Sequence, residues 1–156
     1  MRYVDLDATI GKLTGVLDPH PYLAMLPELG ADLPAGAAAF ATDPEHYNFT
    51  GQRCVKDLTL DGFLSDAGEA DALELRFRHN CWKHEEDLVI RYQGVTDIRL
   101  EGAIREELGP LILDEILPHQ QGCTHELAFR PGRLTITAAD LAAVWIEANC
   151  AEARKG

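Results

Sequence analysis

The sequence predicts an α+β protein, with short N-terminal helices followed by a mainly antiparallel, meandering β-sheet. In the first third of the chain, apolar residues recur at helical spacing or stand between helix-breaking prolines. From about residue 53 onward, apolar and polar residues alternate, which is typical of strands with one buried and one solvated face. The length of 156 residues fits one domain, which we divide into a helical part at 1–50 and an antiparallel sheet at 53–148.

Three short helices are predicted, over residues 7–17, 22–29 and 35–41. In the first, Ile10, Leu13 and Leu17 recur at helical spacing, behind an aspartate that can cap the first turn. Two prolines then break the chain, because a proline fixes its own φ and restricts the residue before it. The second helix must kink or end at Pro27, and Pro34 starts the third.

The clearest predicted strand covers 73–78, where apolar residues occupy the odd positions and charged residues the even ones. Similar alternation, or a short apolar run, predicts further strands at 55–60, 88–92, 98–101, 111–117, 127–130 and 134–137. Gly94 and the pair Pro131-Gly132 stand between these runs as turns. Strands adjacent in sequence are therefore expected to pair with each other.

Two segments lie outside this simple pattern. Residues 104–108 are predicted as a helical turn between strands. The segment 140–148 fits two structures, because Asp140 can cap a helix whereas the run Val144-Trp145-Ile146 suits a strand. We favour the strand.

The charge of the chain limits its partners. Lys and Arg total 14 against 26 Asp and Glu, a formal net charge of -12 at pH 7. This excess opposes binding to nucleic acid or to an anionic membrane surface, and it favours a basic protein as partner. The longest apolar runs fall short of the ~18 residues that a membrane span needs, and no secretory signal is recognisable. We therefore expect a cytoplasmic protein, and the sequence leaves its oligomeric state open.

The sequence lacks the motifs of several enzyme classes. Ser65 is the only serine and no nucleophile elbow surrounds it, and the glycines match neither the Rossmann nor the P-loop spacing. The His84-Glu85 and His125-Glu126 pairs lack the second histidine of a zinc-protease helix. Adjacent acidic pairs are expected on a solvated surface in so acidic a chain; they are Glu85-Glu86, Glu106-Glu107 and Asp114-Glu115. No catalytic residue is assigned.

Four residues in phase with the apolar faces of two predicted strands form a candidate metal site: His79, Cys81, Cys123 and His125. Two cysteines and two histidines suit tetrahedral zinc. Because no Cys-x-x-Cys pair is present, the four side chains converge only if the two strands are neighbours and one of them bends. The alternatives are a disulfide between Cys81 and Cys123, or buried thiols beside hydrogen-bonded histidines, which a reducing cytosol favours.

The second candidate site is the polar segment 79–87, which joins two predicted strands. Loops on a rigid scaffold often carry function, and four residues here are predicted to bind a partner: Trp82, His84, Glu85 and Glu86. Trp82 either covers the end of the sheet, which we favour, or anchors a partner as aromatic hot spots do. The acidic residues that follow it would suit a basic surface.

Two functions follow from these candidates. The first is a non-enzymatic protein-binding module whose partner is a basic protein. In its size, acidity and single-domain build the chain resembles bacterial immunity proteins, which neutralise cationic toxins; the likeness is one of general type and rests on no motif. The second is a small metal-binding protein or metalloenzyme with zinc held by the His/Cys set.

Overall fold

The computed structural model describes residues 1–65, 68–69 and 71–148, and this part of the chain forms ten strands and two α-helices. The elements in chain order are β1 (Asp5–Ile10), β2 (Leu13–Asp18), α1 (His20–Asp32), α2 (Ala35–Ala41), β3 (Thr59–Ser65), β4 (Leu73–Arg78), β5 (Glu86–Gln93), β6 (Asp97–Glu101), a 3₁₀ turn (Arg105–Glu107), β7 (Leu111–His119), β8 (Gly122–Phe129), β9 (Arg133–Ala138) and β10 (Asp140–Glu147). The strands are antiparallel throughout. The α+β class and its antiparallel character are therefore confirmed.

The strands divide into three sheets. β1 and β2 form a separate hairpin, sheet I has the order β10-β5-β4-β3, and sheet II has the order β6-β9-β8-β7. Most neighbours in these sheets are also neighbours in sequence, as predicted. The exceptions are the pairs β5–β10 and β6–β9, which join distant parts of the chain.

These two exceptional pairs form a corner between the sheets. The chain runs from β5 through Gly94 into β6, and from β9 through Ala139 into β10. At the corner the amide of Ala139 donates to the carbonyls of Gln93 and Gly94, at 2.9 and 3.1 Å. Strands that change sheets at a bend are a common way to close a sandwich. The corner brings the apolar faces of the two sheets together.

The core lies between the two sheets. Its largest fully buried side chains include Leu75, Leu88 and Tyr92 from sheet I and Leu113 and Leu127 from sheet II. One hydrogen bond crosses the core directly, since the hydroxyl of Tyr92 lies 2.7 Å from Nδ1 of His125 on β8.

The helices pack against two edge strands of the sandwich, β10 and β7. Gly36 on α2 approaches the backbone of β10 so closely that a Cβ atom there would meet the carbonyl oxygen of Leu141. The carboxylate of Asp140 accepts hydrogen bonds from the amides of Gly36 and Ala37, at 3.1 and 2.9 Å, and so caps α2 from a distant strand. No helix in the described part of the chain is long and apolar enough to cross a bilayer.

The predicted helix at 7–17 is wrong, because this segment forms the β1–β2 hairpin. Gly11 and Gly15 have φ values of 63° and 69°, outside the range of a right-handed helix. Ile10 and Leu13 are cross-strand partners on either side of a two-residue turn. A spacing of three residues is shared by one face of a helix and by the two residues that flank such a turn, so spacing alone did not distinguish them.

Most other element predictions agree with the structure. The helix at 35–41 matches α2, and the one at 22–29 is the middle of α1, which continues through Pro27 to Asp32. The strand at 140–148, the helical turn at 104–108 and the hairpin turn at Pro131-Gly132 are confirmed. The strand predicted at 55–60 begins only at Thr59, after a series of turns.

The substitution Gly94→Ala is expected to destabilise the corner strongly. Its φ of 61° lies in the left-handed region, and an added Cβ would lie 2.7 Å from the Cβ of Ala139. Gly11→Ala is the matched control, because Gly11 has a φ of 63° with no atom within 4 Å of an added Cβ. Urea denaturation should show a loss of about 1–2 kcal/mol from the backbone in both variants, and about 1–3 kcal/mol more in Gly94→Ala from the clash. Equal losses would contradict the close approach.

Candidate functional site

The structure does not bring the four predicted metal ligands together. His79 and Cys81 follow β4 in sheet I, whereas Cys123 and His125 lie on β8 in sheet II. Convergence required neighbouring strands, but β4 pairs only with β3 and β5, and β8 only with β7 and β9. Among the described residues, no group of three or more His, Cys, Asp or Glu side chains is placed to hold a metal ion.

Each of these four side chains has another environment. Nδ1 of His79 lies 2.6 Å from Oδ1 of Asp87. Cys81 is disulfide-bonded, so its sulfur is not a free thiolate. Cys123 is a buried free thiol whose pKa is raised to about 11, mainly by burial, which keeps it protonated at neutral pH. His125 belongs to a buried polar network.

At the centre of this network, the carboxylate of Asp114 on β7 lies between two buried imidazoles. Its Oδ1 is 2.7 Å from Nε2 of His46, and its Oδ2 is 2.6 Å from Nε2 of His125. The other ring nitrogen of His125 meets the Tyr92 hydroxyl, and Nδ1 of His46 is 2.8 Å from the carbonyl oxygen of Phe40. We call Asp114, His46, His125 and Tyr92 the Asp114 network. All four residues are at most 1% exposed.

The hydrogen-bond partners indicate where the protons lie. His46 stands between a backbone carbonyl and a carboxylate, and both of these oxygens only accept hydrogen bonds. Both ring nitrogens of His46 must therefore carry a hydrogen, which makes it an imidazolium. His125 needs only one hydrogen, on Nε2, because the Tyr92 hydroxyl can donate to its Nδ1. The network then holds one negative and one positive charge.

The direction of the pKa shifts agrees with this assignment. Burial disfavours the charged form of Asp114, but the charge of His46 and the hydrogen bonds from both histidines outweigh it and lower the pKa of the carboxyl group. Burial likewise disfavours the imidazolium of His46, yet the charge and hydrogen bond of Asp114 raise its pKa. Burial raises the pKa of Tyr92, which remains a phenol and a donor.

The Asp114 network is closed to solvent and serves the fold. It links the α2–β3 connection, through His46, to β7, β8 and β5. No buried side-chain nitrogen or oxygen in the described part of the chain lacks a hydrogen-bond partner. These groups are buried and mutually hydrogen-bonded, so the arrangement orders the interior.

A second buried carboxylate, Glu115, points to the other face of sheet II. It accepts hydrogen bonds of 2.7 Å from the backbone amides of Arg2, Tyr3 and Val4. Glu115 is 1% exposed, and Val4 reaches the core at 5% exposure. This side chain therefore holds the N-terminal segment against the sheet.

The expectation that Asp114 and Glu115 lie on a solvated surface is wrong. The signal was present in the sequence, because these two acids interrupt the apolar run Leu111–Leu117 of a predicted strand. Two adjacent acids within such a strand cannot both face solvent, since successive side chains point to opposite faces. His46 carried no comparable signal, because its partner lies 68 residues away.

The segment 79–87, which we call the Trp82 loop, is the most exposed of the predicted sites. Trp82 is 92% exposed, the highest value among the large apolar side chains described. The expectation that it covers the end of the sheet is therefore wrong. Trp82 also lines a groove of ≈ 530 Å³, together with Asp57, Thr59 and Pro110.

Hydrogen bonds fix the backbone of the Trp82 loop. The side chain of Asn80 accepts from the amide of Trp82 at 3.1 Å, and the carbonyl of Asn80 accepts from the amides of Lys83 and His84. At the end of the loop, the carboxylate of Asp87 accepts from the amide of His79 at 2.8 Å. The tryptophan thus projects from an ordered turn.

His84 anchors this loop from inside and cannot itself contact a partner. It is 2% exposed, its Nδ1 accepts from the amide of Asn80 at 3.0 Å, and its Nε2 donates to the carbonyl of Cys54 at 2.7 Å. These roles need only one ring hydrogen, and burial lowers the pKa of His84 accordingly. The ring faces the interior, where it supplies the hydrogen-bond donor for the carbonyl of the buried Cys54.

Acidic and basic side chains both lie in and beside the exposed loop. Glu85 is exposed and forms no salt bridge with a described residue. Glu86 forms a bidentate pair with Arg53, at 2.6 and 3.0 Å. The pKa of Arg53 is raised by the hydrogen bond and charge of Glu86, with further contributions from Asp43 and Glu45. Lys83 of the same loop lies 3.5 Å from Asp57, so Glu85 is the exposed loop acid that has no salt bridge with a described residue.

No protein-family model and no curated protein matches this sequence. The candidate site is therefore defined by geometry alone. Of the two sets of functional side chains, the Asp114 network is sealed in the core, whereas the Trp82 loop presents a large aromatic group and unpaired negative charge to solvent.

Proposed function

We propose that this protein is a non-enzymatic binding module that docks a basic protein through the Trp82 loop. The observation that carries the proposal is the 92% exposure of Trp82 on a loop fixed by hydrogen bonds. A tryptophan left in water offers a large apolar area to a partner, and tryptophan is among the residues most often found at binding hot spots. The ordered backbone of the loop limits the entropy lost when a partner binds.

Charge supports a basic partner. The chain carries a formal net charge of -12, and Glu85 in the loop is exposed and forms no salt bridge with a described residue. A basic surface would be attracted over a distance and oriented toward this site. The negative potential also disfavours nucleic acid and anionic membranes as occupants.

Trp82→Ala is expected to abolish retention of the partner. Immobilised protein would be exposed to a lysate of the source cells, with Leu13→Ala as the control, because Leu13 is 67% exposed on the β1–β2 hairpin. We expect wild type and the control to retain the same basic protein. Calorimetry with that purified protein should show affinity lowered about 30-fold or more by Trp82→Ala, as for a hot spot. Equal affinity, or retention of acidic proteins only, would refute the proposal.

A charge variant distinguishes the loop from the general acidity of the chain. Glu85→Lys and Glu28→Lys change the net charge equally, but only Glu85 lies in the loop, while Glu28 is exposed on α1. In calorimetric titrations with the same partner, Glu85→Lys should weaken binding more than Glu28→Lys, and this difference should shrink as salt is added. Equal effects would place the partner elsewhere.

A further inference from the structure

β6 is the least covered edge strand of the two sheets. All five of its residues are exposed, and it pairs with β9 on one side only. The edge strand β10 is covered by α2, and β7 has backbone bonds from Leu111 to Asp57 and Leu58 near one end. The edge strand β3 carries an irregularity between Leu60 and Gly62. Within the described chain, β6 therefore offers the most accessible row of backbone donors and acceptors.

The inner face of β6 is apolar and uncovered. Ile98 lies opposite Ile136 and Leu100 opposite Leu134, so both continue rows of fully buried core residues. They are nevertheless 46% and 36% exposed, and Ile104 beyond the strand is 59% exposed. A further strand added beside β6 would extend this apolar face.

Two of the three charges of β6 are not matched by the strand beside it. Asp97 and Arg99 lie opposite Thr137 and Thr135 on β9, whereas Glu101 lies opposite Arg133. Within β6 itself, Arg99 makes only a long contact of 3.5 Å with Asp97, and both side chains are more than half exposed. One acid and one base thus remain available on the outer face.

We propose that β6 pairs antiparallel with β6 of a second copy of this protein, giving a two-fold dimer with a continuous eight-stranded sheet. In the register that places Ile98 opposite its own copy, Arg99 faces Asp97 of the other chain, and the same pair occurs twice. Both oppositely charged pairs are then satisfied, and Ile98 meets its own copy on the inner face. The strand is self-complementary in sequence, which identifies a second copy as its occupant.

Other registers fit less well. Moving the pairing by one residue brings charged and apolar residues onto the same face, because side chains alternate along a strand. Placing Arg99 opposite its own copy sets two like charges against each other and opposes Asp97 to Glu101. Placing Leu100 opposite its own copy pairs Arg99 with Glu101, which already lies opposite Arg133. Asp97 would then have no charged partner on the other chain.

Arg99→Asp is expected to prevent this association. Sedimentation equilibrium over rising protein concentration should show a reversible dimer for wild type. In the variant the dimer should weaken about tenfold or more, because both cross-strand pairs change from attraction to repulsion. Lys12→Asp is the control with the same change of charge, since Lys12 is exposed in the turn of the β1–β2 hairpin.

Charge exchange provides the decisive arm of this experiment. The double variant Asp97→Arg/Arg99→Asp restores complementarity and should recover the dimer. The two single variants, Asp97→Arg and Arg99→Asp, should each be monomeric alone but form a mixed dimer with each other. Circular dichroism would establish that every variant is folded. A wild type that stays monomeric at all concentrations, or a dimer that survives Arg99→Asp, would overturn the proposal, as would failure of the double variant to associate.

Discussion

Asp114→Ala is expected to lower the free energy of unfolding by about 3–5 kcal/mol, as when one partner of a buried ion pair is removed. The variant would leave the His46 imidazolium buried without its counter-ion and His125 without the acceptor for its Nε2–H. A loss of this size is a large part of the stability of an ordinary domain, roughly 5–15 kcal/mol. Denaturant titration monitored by circular dichroism would measure it, and a loss below that of an ordinary buried hydrogen bond would contradict the charged network.

Asp114→Asn separates the contribution of charge from that of shape. The amide can accept from His125 through its oxygen and donate to a neutral His46 through its nitrogen, so each hydrogen bond has a possible replacement. We therefore expect a smaller loss of about 1.5–3 kcal/mol, the range for hydrogen bonds to charged groups. Nitrogen NMR of the imidazoles should show His46 charged in the wild type and neutral in the variant at neutral pH. A neutral His46 in both proteins would refute the proton assignment.

The fold was predictable where local pattern and tertiary structure agree. Alternation placed β4, β8 and β9, because one face of each meets the core and the other does not. It failed at residues 7–17, where a two-residue turn reproduces the spacing of a helix. Alternation also did not predict that β5 pairs with β10. That pairing depends on the corner between the two sheets, which joins segments distant in sequence.

The sequence singled out the candidate loop but did not predict how its side chains are oriented. The density of polar groups between β4 and β5 made the Trp82 loop a candidate, yet local sequence did not show that the tryptophan points to solvent while His84 turns inward. The two His/Cys pairs belong to different sheets, and only Cys123 and His125 are buried in the core. Long-range partners such as His46 and Asp114 require the arrangement of the sheets to be known.

Glu115→Ala is expected to release the N-terminal segment from sheet II. Hydrogen bonds to charged groups contribute about 1.5–3 kcal/mol each, and the carboxylate of Glu115 accepts three from the amides of residues 2–4. The freed segment regains roughly 1–2 kcal/mol of backbone entropy for each residue released. The net loss should therefore be about 1.5–3 kcal/mol, and it should be accompanied by exposure of Val4, which is 5% exposed in the intact protein.

Glu126→Ala is the matched control, because Glu126 lies directly opposite Glu115 in the sheet and also meets the N-terminal segment. Its carboxylate contacts the amino group of Met1 and the guanidinium of Arg133, at 2.8 and 3.2 Å, and its side chain is 18% exposed. Partly exposed ion pairs of this kind contribute about 0–1 kcal/mol. Hydrogen exchange at the amides of residues 2–4 should accelerate strongly in Glu115→Ala and little in Glu126→Ala. Unchanged protection in Glu115→Ala would contradict this role of Glu115, because the β1–β2 hairpin would then be sufficient to hold residues 2–4.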